Sequence, residues 1–140
     1  MKVNKLAELK TQYSFEAPVL PANVRNYKSK VVQLSEGSID LNTYLAPYPK
    51  NIYLVRVQGE SMINDNIFNG DVLVVDKTEI PKDNKVVIAS LNGEMAVKRF
   101  RIIDGKAYLY SANEKFLPIE ILPFWQFEIQ GVVKHVIHSV

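Results

Sequence analysis

The amino-acid sequence predicts a mainly β domain, and three observations carry that reading. Short runs rich in Val, Ile, Tyr and Phe follow one another from residue 52 to residue 137, with turn residues between them. Asn92-Gly93 joins two of these runs, and a tight hairpin turn needs the positive φ at both central positions that Asn and Gly supply. The 140 residues are 47% hydrophobic and 23% charged, an ordinary globular balance. At that length a chain buries roughly 70% of its unfolded surface without disulfides or metals.

In chain order, Met1 to Lys10 sets Lys2, Lys5 and Lys10 between isolated apolar residues and lacks the continuous apolar stretch of a secretory signal. Thr11 to Gly37 is broken by Pro18 and Pro21 and has no sustained periodicity, so it reads as an extended arm, mobile or laid over the body. The division expected is an arm over 1–37, open to cleavage, and a body over 38–140. Asp40 is placed to cap a short helix over Leu41–Leu45 that stops ahead of Pro47 and Pro49. Strands are expected over Ile52–Val57, Asp71–Asp76, Lys85–Leu91, Glu94–Phe100, Lys106–Tyr110 and Phe127–Ile137. The Asn92-Gly93 turn makes residues 85–91 and 94–100 antiparallel neighbours.

Composition excludes several function classes. Without cysteine there is no thiol nucleophile, redox centre or thiolate metal site, and the chain suits a reducing compartment. Seventeen Lys+Arg against 15 Asp+Glu give a formal charge of +2. Residues 1–37 hold six basic and three acidic side chains, and the body is close to neutral. Binding driven by phosphate neutralisation needs more clustering than that, and Lys98, Arg99 and Arg101 read as a solvated strand edge. Val72-Leu73-Val74-Val75 is closed at once by Asp71 and Asp76, far short of the roughly 18 apolar residues of a membrane span. A membrane-anchored enzyme is therefore disfavoured.

Few residues are placed for chemistry. His135 and His138 are the only histidines; in a regular strand they face opposite ways, which argues against a metal pair or a histidine triad. No carboxylate pair and no phosphate-cradling glycine motif stands out. What remains is Gly59-Glu60-Ser61-Met62, just after an apolar strand, and Lys98 on the second arm of the hairpin. A serine beside a glycine is most often a turn residue. On a period-2 strand Glu94, Ala96, Lys98 and Phe100 share one face while Arg99 points away, so Lys98 is an inward-facing candidate base. Burial disfavours the ammonium, and a neutral amine beside a serine hydroxyl makes a general base and nucleophile without histidine.

On these residues the chain resembles the LexA-like Ser-Lys autopeptidases and, within them, the UmuD proteins of error-prone DNA repair. The resemblance covers residues 38–140. It rests on Ile39-Asp40-Leu41-Asn42, Gly59-Glu60-Ser61-Met62, the run from Asn69 to Asp76, Asn92-Gly93-Glu94 leading into Val97-Lys98-Arg99, and Gly131 to Val136, in order and at similar intervals. It implies twisted, partly barrel-like antiparallel sheets, a short helix and an extended N-terminal arm. It also implies Ser61 as nucleophile, Lys98 as general base, and the backbone amides of Ser61 and Met62 as oxyanion donors, with no metal and no cofactor. The implied activity is self-cleavage during the SOS response, after which the shortened form serves a Y-family, UmuC-like translesion polymerase. Partners implied are a second copy of the chain and the RecA filament on single-stranded DNA, with no direct sequence-specific DNA binding. The cytoplasm is the implied location.

Cleavage in that family usually falls at Ala-Gly or Cys-Gly, and residues 1–37 contain neither. Ala22-Asn23 offers a small residue after an extended Leu20-Pro21, and gapless counting back from Ile39 points instead to Arg25-Asn26. The second reading is a binding module of the same fold that docks a polymerase or RecA filament and cleaves weakly or not at all. A repressor would need a helix-turn-helix unit, for which 37 residues with two prolines are too few.

Overall fold

The computed structural model describes residues 1–8, 16–18 and 38–140. Its strands are β1 (Lys2–Glu8), β2 (Glu16–Pro18), β3 (Ser38–Asp40), β4 (Ile52–Gln58), β5 (Val72–Asp76), β6 (Val86–Leu91), β7 (Glu94–Ile103), β8 (Lys106–Tyr110), β9 (Ile119–Glu120) and β10 (Phe127–Ile137). Among the described residues one α-helix occurs, α1, which spans Leu41–Leu45, and Asp40 caps it by accepting the Asn42 N–H at 3.0 Å. All six expected strands are present within two or three residues of their expected ends.

Alternation along β4 shows how the core is built. Tyr53, Val55 and Val57 are buried and share one face with Leu73 and Val75 of β5, Ile88 of β6, Val97 of β7 and the loop residues Met62 and Ile67. The opposite face of β5 places Val74 with Ile52 and with Ala46, the residue that ends α1. A third cluster, Val87, Ala89, Phe100, Leu109 and Val132, lies on the other face of β6 and β7.

The main sheet runs β1-β4-β5-β10-β6-β7-β8-β9, all neighbours antiparallel, and β1 also meets β7 at Lys2↔Ala96. That extra pairing closes β1, β4, β5, β10, β6 and β7 into a barrel-like ring around the first cluster. β2 and β3 form a separate two-stranded sheet. The β6–β7 hairpin turns at Asn92 (φ 50°) and Gly93 (φ 85°) as its sequence requires. β10 bends at a register shift between Ile129 and Gly131. A Cβ on Gly131 would stand 2.5 Å from Val75 Cγ1 and 2.9 Å from the Asp76 carbonyl oxygen, so only glycine fits this close approach.

β1 lies within the stretch read from sequence as arm. Its period-2 pattern is interrupted by a register shift between Lys5 and Ala7, so its strand character is not visible as alternation. β3 and β9 are too short for periodicity to show.

Candidate active site

β4 carries the chain to Gln58, and Gly59 turns it with φ +105°, a conformation side-chain-bearing residues rarely adopt. The Gly59 N–H is held by Asn69 Oδ1 at 3.0 Å. Ser61 follows, 2% exposed, and Met62 is wholly buried beneath it. The turn over Ile63–Asp65 folds back, with the Asp65 and Ile67 amides both donating to the Met62 carbonyl. Among the described residues, neither the Ser61 nor the Met62 amide donates to another group of the chain.

A second segment, Ser111 to Asn113 after β8, is tied to this loop at three points. Asn64 N–H donates to the Ala112 carbonyl at 2.8 Å, Asn113 Nδ2 donates to the Glu60 carbonyl at 2.9 Å, and Ala112 N–H lies 3.4 Å from Met62 Sδ. Arg99 adds a further tie from β7, with Nε and Nη2 at 3.1 and 2.8 Å from Asp65 Oδ2. The loop bearing Ser61 is thus anchored to both β7 and the segment after β8.

Lys98 comes from β7 and is half-buried. Its Nζ donates to Ser111 Oγ at 2.6 Å and lies 5.6 Å from the centre of the Phe116 ring. Burial holds its ammonium below the ordinary lysine value of 10.5. Between Ser61 and Lys98 comes β1: the Met1 carbonyl accepts from Val97 N–H at 3.1 Å, and the Met1 α-amine donates to Ser61 Oγ at 2.5 Å. That amine is lowered to about 6, first by burial and then by repulsion from Lys98. Met1 lines two adjoining grooves, one of about 510 Å³ that includes Lys98, Ala96 and Ile119, the other of about 270 Å³ that includes Ser61, Gln58 and Phe116.

Ser61 and Lys98 thus line two grooves that share Met1 and Lys2, and each bonds to another group. Among the described residues no hydrogen bond joins Ser61 to Lys98; Ser61 Oγ accepts from the Met1 amine and Lys98 Nζ donates to Ser111.

A model of the Peptidase S24-like family matches residues 22–134. The chain belongs to that family. Its relatives include the LexA repressor of Stenotrophomonas maltophilia (strain R551-3), 36% identical over 89 residues, covering 64% of this chain and 41% of that protein. The LexA repressor of Vibrio cholerae serotype O1 (strain M66-2) is 38% identical over 92 residues, covering 65% and 44%. That of Colwellia psychrerythraea (strain 34H / ATCC BAA-681) is 38% identical over 93 residues, covering 66% and 44%. The chain thus spans less than half the length of these relatives.

Ala22, Asn23, Arg25 and Asn26 lie outside the described residues. His138, past the end of β10, places Nδ1 2.6 Å from Oδ1 of the buried Asp71, and His135 packs near the Tyr44 ring. Arg99 and Arg101 are paired with Asp65 and Asp83, so the basic group read as a solvated edge is in fact split between two ion pairs and the cleft. Among the described residues no cluster of three metal-ligating side chains occurs, and no helix is long and apolar enough to cross a membrane. No sequence pattern marks Ser111, Asn113 or Phe116: Ser111 meets Lys98 where the β7–β8 register is continued, the Phe116 ring lies 5.6 Å from the Lys98 amine, and Asn113 bonds to the Glu60 carbonyl in the loop that holds Ser61.

Proposed function

We propose that this chain is a self-cleaving Ser-Lys peptidase of the UmuD kind, whose processed form serves a Y-family translesion polymerase in the SOS response. The observation that supports the catalytic part is a buried serine and a half-buried lysine with lowered proton affinity, lining two grooves that meet at Met1 and Lys2. In this reading Ser61 Oγ attacks the carbonyl of the scissile bond while neutral Lys98 takes its proton. The Ser61 and Met62 amides, which donate to no described group, stabilise the oxyanion. Collapse of the tetrahedral intermediate passes the proton to the leaving amine, and water then hydrolyses the ester on Ser61.

The homodimer, the RecA filament on single-stranded DNA, the UmuC-like polymerase and the cytoplasmic setting rest on the sequence resemblance. The family membership and the LexA relatives support the coarser peptidase reading. A second reading, a weakly cleaving docking module, is favoured by the occupied Ser61 and by the lack of Ala-Gly or Cys-Gly in residues 1–37.

Mass spectrometry of the 140-residue chain at alkaline pH, and with RecA filaments, separates the two. A fragment starting between residues 17 and 30, lost in Ser61→Ala and Lys98→Ala, is the expected result. Intact protein under every condition would favour the docking module. Co-purification of the processed form with a UmuC-like polymerase tests the partner.

A further inference from the structure

The antiparallel ladder between β7 and β8 pairs Arg99 with Tyr110. Continuing that register by one residue sets Ser111 opposite Lys98, and Lys98 Nζ donates to Ser111 Oγ at 2.6 Å. Ser111 itself is fixed to the nucleophile loop, because Ala112 and Asn113 bond to Met62, Asn64 and Glu60. The distance from the Ser111 hydroxyl to Ser61 is therefore set by backbone-anchored contacts. Lysine, by contrast, reaches the cleft on a flexible four-carbon stem whose amine needs an external partner to hold one position.

We infer that Ser111 is the positioning residue of Lys98, its hydroxyl fixing the amine so that the lone pair is presented to Ser61. The inference rests on the Ser61–Lys98 reading above. A neutral amine has two N–H groups and one lone pair; giving one N–H to Ser111 Oγ leaves the lone pair for the nucleophile. Phe116 closes another side of the amine with a ring face that attracts the ammonium but accepts no proton. The other ionisable groups lining this groove are the Met1 amine and Lys2 from β1 and Glu94 from β7. They are retained in every variant below.

The test is the rate at which a fluorophosphonate labels the 140-residue chain between pH 6 and pH 10. Labelling forms a bond from Ser61 Oγ to phosphorus, expels fluoride, and delivers the serine proton to Lys98. Ser111→Ala is expected to lower the alkaline plateau about tenfold, the net worth of one hydrogen bond. It is also expected to move the midpoint to lower pH, because the lost hydroxyl oxygen also stabilised the ammonium. Ser111→Thr keeps the hydroxyl and is expected to restore both plateau and midpoint. A purely structural role would lower the plateau without moving the midpoint, and that result overturns the inference. So does a wild-type profile in Ser111→Ala, or an adduct mapped to Ser111 itself. Labelling that survives in Lys98→Ala overturns the dyad reading and the inference together, as does a wild type that never labels.

Discussion

Lys98 and Ser61 owe their properties to different causes. Ser61 is an ordinary hydroxyl made special by position, 2% exposed at the end of a glycine turn. Lys98 is made special by burial, which lowers its affinity for a proton. The sign follows directly: the neutral, proton-accepting form grows as pH rises and becomes dominant below the ordinary lysine value of 10.5. Ser61 reactivity should therefore climb with pH and level off before that value, and a flat profile from pH 6 to 10 would contradict the role given to Lys98. Met62 offers a separate check on the loop, since its side chain is fully buried and its sulfur faces the Ala112 amide. Met62→Ala should cost about 2–5 kcal/mol in denaturant unfolding. Loss of stability under 1 kcal/mol would mean the loop rests on its backbone ties alone. Both members of the proposed pair sit in a local pattern that the sequence displays, a glycine turn after an apolar run and a period-2 strand. Ser111 has no such pattern; its proximity to Lys98 exists only through strand pairing.

At the scale of elements, alternation and turn chemistry made the strands from β4 to β8, and β10, readable. Their residues bury one or both faces, and from β4 to β8 they are separated by Gly, Asn and Asp at positive φ. β1 escaped because a register shift breaks its pattern, so its place is set by the open edges of β4 and β7. Gly131 shows the same dependence on context: the sequence offers an isolated glycine, and the structure gives the reason, a backbone pressed against Val75 and Asp76. Gly131→Ala should destabilise the fold by about 1–3 kcal/mol through overpacking. An unchanged midpoint in urea would show that β10 relaxes at its bulge. The docking of β1 carries a pH dependence of its own. The Met1 amine has an ordinary value of 8.0 when free and about 6 when docked, so proton binding favours release. Docking should be strongest above pH 8, weaken as pH falls toward 6, and change little below. Methyl resonances of Val3 and Val57 should follow that course, and a shift confined to pH 3–5 would assign the change to carboxylates instead.

At the scale of the described molecule, β1, β4, β5, β10, β6 and β7 form a ring that β1 closes. Lys2 lies opposite Gln58 on one side and Ala96 on the other, so β1 joins parts of the chain that are otherwise linked through β5, β10 and β6. Contacts between residues so far apart in sequence must overcome loop-closure entropy, which makes this seam a natural place for the ring to open first. The chain has no cysteine, so a covalent test meets no competing thiol. Lys2 and Gln58 are both exposed and paired in register, and Lys2→Cys with Gln58→Cys places a disulfide across the seam without entering the core. Closing a loop of this length stabilises by up to about 4 kcal/mol in the chain-entropy account. The oxidised variant should melt several degrees higher than its reduced form and should also hold the Met1 amine on Ser61, slowing fluorophosphonate labelling. Reduction should reverse both effects at once. A bond that forms yet leaves melting and labelling unchanged would show that the seam neither limits stability nor governs access to Ser61. Failure of the two cysteines to couple would place β1 elsewhere than against β4.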